Sequence, residues 1–168
     1  DLNGEWAFAP AAGVNYSRLP IEVATEGSDG WHSAPDYVFP RGAGFQLGAP
    51  YDARATFTIT ELPRLLELAI DPEEEETITV NGTPIKPNRT ELVWDRANVV
   101  YNIAEAVKPG RNTIRVRGRI PSWGAEHATV FAVLRGTFGV DADGAVTALP
   151  DRQQVPGSWT EQGVPNLS

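Results

Sequence analysis

Thr77-Ile78-Thr79-Val80-Asn81-Gly82, then Val99-Val100-Tyr101-Asn102-Ile103, then Val107-Lys108-Pro109-Gly110-Arg111-Asn112-Thr113-Ile114-Arg115-Val116-Arg117: these three runs decide how the rest of the chain is read. In the first, Ile78 and Val80 alternate with Thr77 and Thr79, the two-residue period of a strand with one buried face. Asn81-Gly82 ends it, and both residues tolerate the positive φ of a two-residue hairpin turn. The second and third runs read as a strand, one short helical turn, a Pro109-Gly110 break and another strand. A turn closed by Pro-Gly reverses the chain without leaving helix-end carbonyls buried. Beyond it Ile114, Val116, Gly118 and Ile120 face inward, while Thr113, Arg115, Arg117 and Arg119 face outward.

The same period extends outward from this centre. Ala55, Phe57 and Ile59 point one way and Arg54, Thr56 and Thr58 the other. Leu66, Leu68 and Ile70 alternate within a segment bracketed by Pro63 and Pro72, too short for a helix. Residues 84–98 give a short return strand and a loop carrying Trp94-Asp95-Arg96. Thr129 to Leu134 reads as a buried strand, and Thr137–Val140 with Ala145–Leu149 as a hairpin over Asp143-Gly144. Glu5-Trp6-Ala7-Phe8 is a short strand, whereas residues 11–50 are rich in Gly and Pro. That stretch reads as long loops with one strand near Tyr37-Val38-Phe39. About nine strands and no strand followed by a long helix predict an all-β, antiparallel β-sandwich. Residues 1–149 form the sandwich, and residues 150–168 read as a linker or the start of a following domain.

Length and composition narrow the function classes. A chain of 168 residues with 41% hydrophobic and 21% charged residues can bury one sizeable core. A net charge of -8 argues against nucleic acid and against an anionic membrane surface as partners. The absence of cysteine excludes disulfides, thiolate metal sites and a cysteine nucleophile. No apolar run reaches membrane-spanning length and no signal-peptide pattern opens the chain. The absence of methionine suggests a piece of a longer polypeptide, and the preference for Arg over Lys suggests a GC-rich bacterial source. A monomer is expected.

The central runs carry a resemblance. Thr77 to Gly82, Tyr101-Asn102-Ile103 and Val107 to Val116 resemble the galactose-binding-domain-like jelly roll of family 2 glycoside hydrolases and related rhamnosidases. Leu2-Asn3-Gly4-Glu5-Trp6-Ala7-Phe8 looks like the first strand of such modules. Gly157 to Pro165 resembles the entry into a second sandwich domain in multidomain bacterial glycosidases. The resemblance implies a jelly-roll accessory module of a secreted enzyme, extracellular or periplasmic, whose catalytic acid pair sits on a separate barrel domain. Residues 11–50 depart from the pattern.

Read for chemistry, the residues point away from catalysis. A Ser-His-Asp triad needs a positioned histidine, and His32 and His127 have no nucleophile-elbow motif around a serine. Two isolated histidines do not make a zinc site. No spacing among the acids singles out the carboxylate pair of a glycosidase. The chain is therefore not expected to be an enzyme by itself.

Sugar rings stack on exposed aromatics beside polar groups. Trp31 with His32, Trp94 with Asp95 and Arg96, and Trp123 with Glu126 and His127 offer this pattern in predicted loops. The carbohydrate-binding candidates are thus Trp31, His32, Trp94, Trp123, Glu126 and His127. The plainer alternative is that each tryptophan plugs an end of the core, as Trp6 and Trp159 are expected to do. No cofactor is implied. A structural calcium on loop carboxylates such as Asp29, Asp36 and Asp71 is a lesser expectation, without a contiguous ligand pattern. The row Arg115, Arg117 and Arg119 either pairs across strands with acids such as Glu67 or contacts an acidic sugar or a neighbouring domain. The leading function is a noncatalytic carbohydrate-associated module that binds glycan weakly or orients a catalytic domain. The alternatives are a ligand-free structural spacer and a stand-alone glycoside hydrolase.

Overall fold

The structure, a computed structural model, describes residues 14–34, 39–40, 42–70, 77–93, 96–120, 132–141 and 143–149, with 93, 96 and 97 as backbone only. Thirteen strands lie among the described residues. In chain order they are β1 (Asn15–Arg18), β2 (Ile21–Thr25), β3 (His32–Ser33), β4 (Pro50–Ile59), β5 (Leu66–Ile70), β6 (Thr77–Val80) and β7 (Thr83–Pro84). They continue with β8 (Arg89–Val93), β9 (Arg96–Asn102), β10 (Gly110–Arg119), β11 (Ala132–Gly136), β12 (Phe138–Val140) and β13 (Val146–Ala148). The described residues contain no helix, and the sheets pack face to face as a β-sandwich.

One sheet has five strands in the order β1-β11-β5-β9-β8. The other has eight: β12-β13-β4-β10-β6-β7, with β2 also on β4 and β3 on β2. Pairing is antiparallel except for one parallel bridge, Val146 to Ile59. The chain passes repeatedly from one sheet to the other, so each sheet contributes one apolar face to a shared core. From β4 come Tyr51, Ala53, Ala55, Phe57 and Ile59; from β10 come Ile114 and Val116; from β5 come Leu66, Leu68 and Ile70. Fully burying one such aliphatic side chain contributes about 1.5–3 kcal/mol, so this single interior dominates the stability.

The two outer faces differ. On the five-stranded sheet Ala69, Val100 and Val133 are fully buried although they point away from the shared core. The buried Glu67 on that face takes a two-pronged contact from Arg89, at 2.7 and 3.0 Å. Arg135 lies within 2.6 Å of Glu91 and stands over the Tyr16 ring at 5.8 Å. Its Nε and Nη1 lack aligned hydrogen-bond acceptors among the described residues, so attraction between charges holds it. The outer face of the eight-stranded sheet, by contrast, is largely polar and open, and it carries the site described below.

The strand alternations read from the sequence hold for β4, β6 and β10, while β5 is buried throughout, with Leu66, Leu68 and Ile70 in the shared core. Asn81 and Gly82 form the expected turn with φ of 51° and 82°. After β9, Ala106 and Val107 both donate to the Ile103 carbonyl, at 2.9 and 3.2 Å, giving the single helical turn. The stretch 11–50 is a correction, because it holds β1, β2 and β3 and the start of β4. Short strands interrupted by Pro20 and by the turn at Glu26-Gly27 give too few alternations to be seen as a period. Phe39 is buried and lies in no strand, while Tyr37 and Val38 lie outside the described residues. Residues 84–98 give two strands, β7 and β8, before β9 begins.

Candidate functional site

Antiparallel register turns the outer face of the large sheet into a grid. Arg54 on β4 stands between Glu22 on β2 and Arg115 on β10, and Arg115 faces Thr79 on β6. In the next row Ala24, Asp52, Arg117 and Thr77 follow one another. Thr56 and Thr113 pair in the row on the other side. Strands lie about 4.8 Å apart and successive outward positions on one strand about 6.6 Å apart. Neighbouring side chains on this face therefore meet.

Asp52 is the pivot. It is buried, 3% exposed, on the outer side of the sheet, beneath two guanidinium groups. Arg115 donates Nε and Nη2 to its two oxygens at 3.0 and 2.8 Å. Arg117 donates Nε at 2.9 Å. Burial pushes the Asp52 carboxyl up, but the hydrogen bonds from Arg115 and then Arg117 outweigh it and hold it below the ordinary carboxylate range. Asp52 also keeps the Arg115 guanidinium firmly protonated. Arg115 and Arg117 of the arginine row thus pair with Asp52, Arg119 donates to the Gly48 carbonyl at 3.1 Å, and the expected partner Glu67 lies on the other sheet with Arg89.

Above this row opens a cleft of about 640 Å³, lined by Thr77, Thr79, Asn81, Lys108, Arg111, Thr113, Arg115 and Arg117. Its far wall is built by the Asn81-Gly82 turn and the segment Lys108 to Asn112. Asn112 points inward, fully buried. Its Oδ1 accepts from the Lys108 amide at 2.9 Å and from Asn81 Nδ2 at 2.8 Å. Its Nδ2 donates to the carbonyls of Lys108 and Gly110, at 2.7 and 2.9 Å. Asn81 completes the clamp, donating to the Ala106 carbonyl at 2.9 Å and accepting from the Thr113 amide at 3.0 Å. Two asparagines thereby lock the β6–β7 turn to the turn before β10, and Lys108 and Arg111 are held over the sheet.

Of the residues proposed from sequence, Trp31 reaches this face. It is half-buried, with the Arg54 guanidinium 4.1 Å from its ring centroid. Arg54 in turn donates to Glu22 at 2.7 Å, which holds the Glu22 carboxyl below its ordinary range. His32, the next residue, turns the opposite way: it is exposed and meets the Phe45 ring edge-on at 6.2 Å. Trp31, just before β3, meets Arg54, while His32, in β3, meets Phe45, so the two rings do not share one set of contacts. Trp94, Trp123, Glu126 and His127 lie outside the described residues. So do Asp36 and Asp71. The described residues contain no group of three His, Cys, Asp or Glu placed to share a metal ion.

Sequence reasoning missed Asp52, Lys108, Arg111 and the Asn81–Asn112 clamp. For Asp52 a signal existed: it shares the outward parity of Arg54 and Thr56. What it lacked was the register that sets it against Arg115 and Arg117.

No protein-family profile matches this chain, and no curated protein matches it. Among solved structures it is similar to a β-D-glucuronidase of Dictyoglomus thermophilum, 16% identical, over 79% of this chain and 26% of that one, with a TM-score of 0.47. It is also similar to an α-L-rhamnosidase of the same organism, 17% identical over 80% of this chain and 15% of that one, TM-score 0.36. A third is the native α-L-rhamnosidase of Aspergillus terreus, 13% identical over 83% of this chain and 25% of that one, TM-score 0.31. These neighbours are glycoside hydrolases, and the chain spans about a quarter or less of their length.

Proposed function

We propose that this chain is a noncatalytic, carbohydrate-associated β-sandwich module of a larger enzyme, and that it holds glycan on the outer face of its eight-stranded sheet. One observation carries this reading: a single open face combines an anchored aromatic, Trp31, with a cleft of hydroxyl, amide and guanidinium groups. Sugars need this mixture, an aromatic for the apolar ring face and groups that both donate and accept for the hydroxyls. The carboxylates on this face are unsuited to acid catalysis. Asp52 is held ionised by two guanidinium groups and Glu22 by one, whereas a glycosidase acid must keep its proton near neutral pH.

Affinity electrophoresis through gels containing soluble polysaccharides tests the reading. Migration is expected to slow in at least one glycan and to recover in Trp31→Ala, with an unchanged melting temperature. Equal mobility in every glycan would leave a ligand-free spacer instead. Turnover of aryl glycosides by the chain alone would contradict the noncatalytic part.

A further inference from the structure

We propose that the cleft between the β6–β7 turn, the Ile103–Gly110 turn and the outer face of β10 binds an acidic saccharide, a chain bearing uronic-acid carboxylates. This rests on the glycan reading above and names its ligand class. Charge favours this ligand class. Lys108, Arg111, Arg115 and Arg117 crowd one cleft of a protein whose net charge is -8. The carboxylate beneath them, Asp52, is buried and already shared by Arg115 and Arg117. Those two side chains are 42% and 55% exposed. Arg115 uses Nε and Nη2 on Asp52 and Arg117 uses Nε. A guanidinium has five N–H donors, so each retains donors for a second carboxylate. Lys108 and Arg111 are exposed and make no ion pair among the described residues, although Arg111 is near enough for its charge to favour ionised Glu22.

The spacing of the cations favours it too. Arg111, Thr113, Arg115 and Thr79, and Arg117 and Thr77, occupy successive outward positions along β10 and β6. From Arg111 to Arg117 the strand advances roughly 20 Å, so the cations are strung along a line. Thr113 stands between Arg111 and Arg115, and Thr79 and Thr77 flank Arg115 and Arg117 from β6. A polymer with a carboxylate on each sugar and hydroxyls beside it matches that arrangement: guanidinium groups take carboxylates in pairs of hydrogen bonds, and threonine hydroxyls donate to and accept from sugar hydroxyls. Among the described residues the lining has no aromatic ring on which a base could stack, which disfavours nucleic acid. Among the described residues no aliphatic side chain lines the cleft to receive those of an acidic peptide.

The test is calorimetric titration of the chain with oligogalacturonate and with the same oligosaccharide methyl-esterified at its carboxyls, at two salt concentrations. Oligogalacturonate is expected to bind at least about tenfold more tightly than the ester, and to weaken as salt rises. The exposed double variant Lys108→Gln/Arg111→Gln should lose about tenfold in affinity with its melting temperature unchanged. Arg64→Gln/Lys86→Gln, an equal loss of two exposed charges outside the cleft lining, should not. Equal binding of acid and ester would overturn the acidic-ligand inference and leave the glycan reading standing. No binding of either, with none in the electrophoresis, would overturn both. Polyglutamate binding as tightly as oligogalacturonate, lost in the same double variant, would assign the cleft to an acidic polypeptide and overturn the inference.

Discussion

Asn112→Ala should be among the most damaging single changes to this protein, and its cost can be worked from the structure. The side chain is fully buried and makes four hydrogen bonds, two accepted and two donated. At a net contribution of about 1 kcal/mol each, alanine removes about 4 kcal/mol. Water can reach some of the freed groups at Asn81 and Gly110, which are exposed, so the expected loss is about 3–4 kcal/mol. Against a typical domain stability of about 5–15 kcal/mol, that is a large fraction. Urea denaturation followed by tryptophan fluorescence measures it, with the midpoint falling and the slope unchanged. Asn112→Asp sharpens the test. It keeps shape and one acceptor but turns the donor edge into an oxygen facing two carbonyls. That carboxyl favours its protonated form when folded, so the variant is more stable in acid and loses stability as pH rises through its raised value. A loss below about 1 kcal/mol for the alanine variant would refute the claim that this clamp holds the two turns together.

Asp52→Asn should cost about 2 kcal/mol, less than breaking a fully buried pair, because Arg115 and Arg117 can turn to water. The folded-state pKa of Asp52 is lowered, so its contribution is complete above about pH 4 and disappears as pH falls through that lowered value. The stability gap between native protein and Asp52→Asn should therefore close in acid, and a constant gap would count against the pairing. Gly136→Ala should prevent normal folding or cost about 3 kcal/mol or more, because a Cβ there would meet the Leu65 carbonyl oxygen at 2.1 Å; a thermal melt close to the native one would disprove that. Gly82→Ala should cost about 1–2 kcal/mol, since its φ of 82° disfavours any side chain although space is open. An unchanged urea midpoint would contradict it.

What the chain order alone determined is the sheet content and which side of each long strand faces inward. Ala55-Phe57-Ile59, Ile78-Val80 and Ile114-Val116 announce their buried faces because the alternation is local, two residues at a time. Asn81-Gly82 announces its turn because only a few residues accept positive φ. Other features depend on partners distant in the sequence. That Asp52, and not Glu67, receives Arg115 and Arg117 follows from β4 lying beside β10 while β5 lies in the other sheet. That Trp31 joins the open face while His32 leaves it follows from β3 pairing with β2, a strand hidden from the sequence by its shortness and flanking turns. Lys108 and Arg111 become the wall of a cleft because Asn81 and Asn112, 31 positions apart, clamp two turns together. Pattern fixes each strand's inward side; neighbours across the sheet decide which outward side chains share a site, because that depends on register and strand order.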